Sequence, residues 1–152
     1  GDALAFARWC VAHPHHNLLS AGFQVQLEQI EQLVIEGEGA RERAHRIKDR
    51  FRALLENSTE EPIFVLDNLT PVMFMEHVSS LRNPRTGRYL SASSYGNRRA
   101  MLNHVFRIHN RNGTPDGFKQ ELGALYKGFY RSLAKDVAET DPFGTGSRTQ
   151  LS

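Results

Sequence analysis

The chain has 152 residues, 39% of them apolar and 24% charged, enough for one ordinary domain with a real core and a polar periphery. No apolar run approaches the roughly 20 residues of a membrane span, and the single cysteine, Cys10, excludes an internal disulfide and suits a reducing compartment. The net charge of +2 hides an uneven distribution: residues 1–76 carry 7 basic and 12 acidic side chains, residues 77–152 carry 12 and 5, and Arg82 to Lys135 carry 11 and 2.

Residues 2–12 have helical composition, with Leu4, Trp9 and Ala12 sharing a face, and His13-Pro14 stops the helix. His13, His15 and His16 lack a companion carboxylate or cysteine, so they read as a loop and not as a metal cluster. Gly1-Asp2 does not read as a native start. No charged segment precedes an apolar one, so no signal peptide is expected, and the chain reads as a piece of a longer protein.

Ser20 caps a helix over 21–36, where Phe23, Leu27, Ile30, Leu33 and Val34 recur at spacings of three and four; Gly37 and Gly39 end it. Residues 40–57 form another helix, with Ala44, Ile47, Phe51, Leu54 and Leu55 as its apolar stripe. Arg41, Arg43, Arg46, Lys48, Arg50 and Arg52 crowd the rest and are expected to be mostly solvated, with Glu42 and Asp49 as local partners. Lys48 and Arg52 are the candidates there for a phosphate contact. Ile63–Leu66 reads as an extended buried connector with no second strand nearby.

Thr70-Pro71 reads as an N-cap followed by proline at the first helical position. The helix 71–82 buries Val72, Phe74 or Met75, Val78 and Leu81, and Asn83–Arg88 is a basic turn. Ser91 or Ser93 caps a helix that reaches about Asn110. Asn112–Gly117 is a turn, and the last helix covers 116–137 with Phe118, Leu122, Leu125, Phe129 and Leu133 facing the core. From Thr140 onward the composition is that of a linker. The fold class is therefore all-α, five to six helices in one domain: a helical segment 1–57 packed on the core, a helical core 58–139, and a tail 140–152.

On a helical wheel over 93–111, Tyr95, Leu102, Val105, Phe106 and His109 gather on one side. The opposite arc holds Arg99, Asn103, Arg107, Asn110 and Arg111 without an acid. Arginine forks onto phosphates and guanine edges, and asparagine pairs bidentately with adenine. Arg98 falls in the apolar arc and snorkels or pairs inside. The last helix adds Lys119, Lys127, Arg131 and Lys135. This concentration points to a polyanion-binding face. A solvated surface, or a surface for an acidic protein partner, is the alternative.

An enzyme reading fares worse on the same residues. His104-Val105-Phe106-Arg107 spells the HxxR found in tyrosine recombinases, with Tyr126 and Tyr130 downstream. That chemistry needs a further arginine and a lysine in a larger domain, and here the motif sits inside a plain amphipathic helix. No glycine-rich phosphate loop, CxxC or paired-carboxylate signature appears, and Glu60-Glu61 reads as surface loop. No cofactor is implied.

Leu69-Thr70-Pro71 with Phe74 and Val78, then Ser93 to Arg107, and finally Tyr126-Lys127-Gly128-Phe129-Tyr130-Arg131, resemble the N-terminal core-binding domain of tyrosine recombinases, the eukaryotic Crypton-like group above all. The likeness covers roughly 60–137. It implies a SAM-like helical bundle forming half of a clamp around duplex DNA in a nuclear setting, with a catalytic half beyond Ser152. No catalytic residue of that family has a counterpart here. The expectation is a non-catalytic DNA-binding domain of a recombinase-like or domesticated transposon protein. Its contacts would come from Arg99, Asn103, Arg107, Arg111, Lys127 and Arg131, with Lys48 and Arg52 in support. A helical protein-interaction or homo-oligomerisation module is the alternative.

Overall fold

The computed structural model describes residues 2–57, 62–110 and 112–140, with only the backbone at 110 and 137–140. Among these residues the regular structure is helical: α1 (Asp2–Ala12), α2 (Ala21–Gln32), α3 (Ala40–Glu56), α4 (Pro71–Ser80), α5 (Ala92–Asn110) and α6 (Asp116–Thr140), with 3-10 turns at Pro14–His16 and Leu66–Asn68. The chain is all-α, as its periodicity predicts. No described helix is long and apolar enough to cross a membrane. The described residues form two compact units, one within Gly1–Leu69 and Ile108–Arg111, the other within Thr70–Arg107 and Asn112–Ser152.

In the first unit α1 buries Leu4, Phe6, Ala7 and Cys10. Trp9 is half-buried and Ala12 exposed, so the expected face was rotated. Phe6 sets it by stacking on Phe64 at 5.2 Å, while Trp9 turns outward and stacks on His13 at 4.3 Å. The three histidines of this corner form no metal-binding group among the described residues. Burial pushes the Cys10 thiol up to about 12, so it behaves as a small apolar side chain. The connector Ile63–Leu66 does find a partner. Ser20 N–H donates to the Ile63 carbonyl at 3.0 Å and Val65 N–H to the Leu18 carbonyl at 2.8 Å, giving one antiparallel bridge between Leu19 and Phe64.

α2 stops at Gln32, four residues short of the expected end, and Leu33 is already extended. Leu33 and Val34 are therefore exposed, Val34 by 76%, because the chain has left helical phase before reaching them. The cause lies in α3. Arg43 donates to the carbonyls of Glu31 and Leu33 (3.3 Å for the latter), and Arg46 donates to the Leu33 carbonyl at 3.1 Å. These side chains satisfy carbonyls that another turn of helix would otherwise use. Arg46 also grips Glu38 through two bonds of 2.8 and 2.9 Å, which lowers the Glu38 carboxyl pKa below its ordinary value. So Arg43 and Arg46 are structural, not solvated. Asp49 partners His45 at 3.4 Å instead of an arginine. α3 buries Ile47, Phe51 and Leu55 and leaves Ala44 exposed; Phe51 meets Phe23 of α2 edge-on at 5.8 Å.

In the second unit Thr70 caps α4 as expected, its Oγ1 accepting from Met73 N–H at 3.2 Å. Pro71, Phe74, Met75 and Val78 form the buried stripe. Val72 lies about 100° off that stripe and is 50% exposed, which corrects its place in the expected core. The helix ends at Ser80, before Leu81. Ser91, not Ser93, caps α5, accepting from Ser94 N–H at 3.2 Å. α6 packs along α4 and runs to Thr140, three residues beyond the expected end. Phe118 and Phe129 of α6 meet Phe106 and Tyr95 of α5 edge-on at 5.4 and 4.9 Å.

Candidate nucleic-acid interface

The site is built on α5 and α6 of the second unit, and tyrosines set its frame. Tyr95 is fully buried; its hydroxyl donates to the Leu81 carbonyl at 2.9 Å and accepts from Leu90 N–H at 3.0 Å. Tyr126, also buried, donates to the Tyr95 carbonyl at 2.8 Å, and Tyr130 donates to the Ala92 carbonyl at 3.2 Å. The Tyr130 hydroxyl passes Gly96 at an ordinary contact distance, 3.6 Å from where a Cβ there would stand. Burial raises the Tyr126 phenol far above its ordinary pKa. Both downstream tyrosines thus tie α5 to α6, and their hydroxyls are engaged on backbone carbonyls.

Arg99 leaves α5 across the Tyr126 ring, its guanidinium carbon 4.9 Å from the ring centroid, a cation–π contact. Its Nη2 lies 3.6 Å from where a Cβ on Gly123 would be. That position matters for charge. Lys119, Gly123, Lys127, Arg131 and Lys135 follow one another at i,i+4 steps on α6 and so form one ridge. Gly123 is the step without a charge, and Arg99 supplies it from the neighbouring helix. Lys119, Lys127, Arg131 and Lys135 are all exposed. At 1.5 Å per residue the ridge is about 24 Å long, winding about 40° per step.

Asn103 and Arg107 were expected to point at a ligand. Asn103 is half-buried, and its Oδ1 accepts from Thr114 N–H at 3.2 Å and from the Thr114 hydroxyl at 3.0 Å. An asparagine that reads adenine uses its oxygen and amide nitrogen together; here the oxygen holds the α5–α6 turn. Gly113 makes that possible. Its φ is +80°, and a Cβ would sit 3.1 Å from Asn103 Oδ1. Arg107 is exposed, with its Cγ and Nε 3.6 and 3.7 Å from the same Cβ position, so its stem lies over the turn.

Arg98 is half-buried, as its place on the wheel predicts. Arg111 falls outside the described residues. Lys48 and Arg52 belong to the first unit, exposed one turn apart on α3; Lys48 lines a shallow depression with Arg41, Glu42, Ala44 and His45. Two features escaped the wheel. The Arg99–Gly123 relation joins residues on different helices, and only the i,i+4 spacing of Gly123 from Lys119 and Lys127 hints at it. The Asn103 clamp needs the turn's backbone geometry, for which Asn112-Gly113-Thr114-Pro115 is the local signal. No protein-family model matches the chain, and neither a curated protein nor a solved structure does.

Proposed function

We propose that this chain is a non-catalytic duplex DNA-binding domain, of the kind that its resemblance to recombinase core-binding domains suggests, working in a nuclear setting as part of a recombinase-like or domesticated transposon protein. The observation that carries the reading is the basic ridge on α6 whose missing step, Gly123, is filled by Arg99. A run of positive charges held by helix geometry and by a stacked arginine suits a phosphate backbone. In this reading Arg99, Lys127 and Arg131 contact phosphates, Arg107 stands nearest the base edges, and Asn103 positions the turn that separates the two helices. The tyrosines hold the bundle together and do no chemistry.

The test is a fluorescence-anisotropy titration with labelled duplex at about 50 mM salt, where phosphate contacts are strong. Binding that weakens in Arg99→Ala and in Lys127→Ala/Arg131→Ala is the expected result. No binding at that salt overturns the reading.

A second reading is supported by a separate surface. Val25 in the first half of α2, and Leu33, Val34 and Ile35 just past its end, are all exposed in an acid-rich segment. Such apolar exposure fits a protein-interaction or homo-oligomerisation module. Concentration-dependent size on gel filtration, lost in Val34→Asp and accompanied by no DNA affinity, would favour it over the first.

A further inference from the structure

The turn after α4 has a construction that neither helix of the ridge explains. Asn83 N–H donates to the Arg88 carbonyl and Gly87 N–H to the Asn83 carbonyl, both at 2.8 Å. Inside this closure Arg85 N–H donates to Asn83 Oδ1 at 2.9 Å and Arg88 N–H to Thr86 Oγ1 at 3.2 Å. Gly87 takes a φ of +69°, and Pro84 has no N–H to satisfy. The turn's base is braced as well. Arg82 Nη1 donates to the Ser79 and Leu81 carbonyls at 2.7 and 2.8 Å, closing the C-terminus of α4. Its guanidinium carbon stands 4.0 Å over the centre of the Tyr89 ring, and Tyr89 donates to Asp136 at 2.9 Å.

Arg82 is thereby committed to the scaffold, whereas Arg85 is exposed within the turn and Arg88 is exposed where the turn closes on Asn83. No acidic residue occurs between Glu76 and Asp116, and all seven basic residues of that interval are arginine. The ridge on α6, by contrast, draws three of its own four charges from lysine. The difference is chemical. A guanidinium is less strongly hydrated than an ammonium and gives up water more readily in a narrow space. A helix needs a groove about 12 Å wide, whereas the tip of a tight turn can bring single side chains to a minor groove about 6 Å wide. Narrow minor grooves over A·T tracts concentrate negative potential and attract inserted arginines. A turn whose backbone is already fixed loses little further freedom on insertion.

We infer that the Asn83–Arg88 turn is a minor-groove reader that places Arg85 and Arg88 in A·T-rich duplex. The inference rests on the DNA-binding reading and adds a sequence preference to it.

The test compares two duplexes of equal length, one with a central A-tract and one wholly G·C. The whole chain should bind the A-tract duplex roughly tenfold more tightly. Arg85→Ala/Arg88→Ala should abolish the preference. Arg85→Lys/Arg88→Lys, which keeps both charges, should abolish it as well, because an ammonium gives up its water less readily than a guanidinium. Circular dichroism establishes that each variant keeps its helices. Equal affinity of the unaltered chain for both duplexes overturns the inference and leaves the DNA-binding reading standing; so does a preference that survives either double substitution. Absence of binding to both duplexes removes both.

Discussion

Asn103 lies on a basic helix face yet serves the backbone. Its Oδ1 takes two bonds from Thr114, which is 8% exposed. Asn103→Ala leaves a buried N–H and a buried hydroxyl without that acceptor, which costs about 1–3 kcal/mol. The expected result is a lower urea midpoint with an unchanged m-value. Asn103→Asp keeps the acceptor oxygen in basic surroundings and should fall far less. If both substitutions behave alike, the oxygen is not what holds the turn. His109 makes the complementary case in the first unit. Its Nε2 accepts from Phe64 N–H at 3.3 Å, and burial lowers its pKa below the ordinary histidine value. The unfolded chain therefore takes up a proton at a higher pH than the folded one, so this contribution to stability is present at neutral pH. It is lost as pH falls below about 6.5 and on toward the folded value. The thermal midpoint of the unaltered protein should drop between pH 7.5 and 5.5 by more than that of His109→Gln, compared in parallel melts.

The end of α2 shows at the scale of an element what a periodicity can and cannot say. Arg43 and Arg46 close its last carbonyls, and Arg46 also holds Glu38. Arg43→Ala/Arg46→Ala should raise amide exchange in the last turn of α2 roughly tenfold and leave α5 unchanged, as read by hydrogen–deuterium exchange. Acid should act in the same direction. Arg46 lowers the pKa of Glu38, so the clasp stabilises above the ordinary glutamate range and is lost as pH falls through the lowered value. The spacing of Phe23 and Leu27 announced the helix. Leu33 and Val34 kept the same spacing although the helix had ended, because the stop comes from arginines at least ten positions away in sequence. Where the boundary signal is local, as at the Thr70-Pro71 start of α4 or the His13-Pro14 stop of α1, the boundary is legible. The same division runs through the candidate site. The apolar side of α5 and the exposed lysines of α6 follow from one-helix wheels. The Arg99–Gly123 and Asn103–Thr114 relations depend on how two helices meet.

Charge is the property that belongs to the whole molecule, and there the composition misleads: +2 overall conceals 11 basic against 2 acidic residues from Arg82 to Lys135. If that surface binds duplex, the logarithm of affinity falls linearly with the logarithm of salt, by about 0.9 per phosphate neutralised. Lys127→Ala/Arg131→Ala should therefore lower the slope by about 1.8, and Arg99→Ala by about 0.9. Arg99 permits a stricter test, because its charge stands at a step of α6 that has no side chain. In Arg99→Ala/Gly123→Lys the charge returns to the ridge from α6 itself. A Cβ at Gly123 meets Arg99 Nη2 at an ordinary 3.6 Å even in the unaltered protein, so the space is adequate, and replacing glycine inside a helix gains about 0.5–1 kcal/mol. If the ridge acts as a row of charges, the double variant recovers the salt slope that Arg99→Ala loses. If Arg99 acts instead through its fork and its stacking on Tyr126, an ammonium in the same place restores the slope's charge count but not the affinity. Slope and affinity measured together in one anisotropy series decide between a ridge that neutralises phosphate and an arginine with a contact of its own.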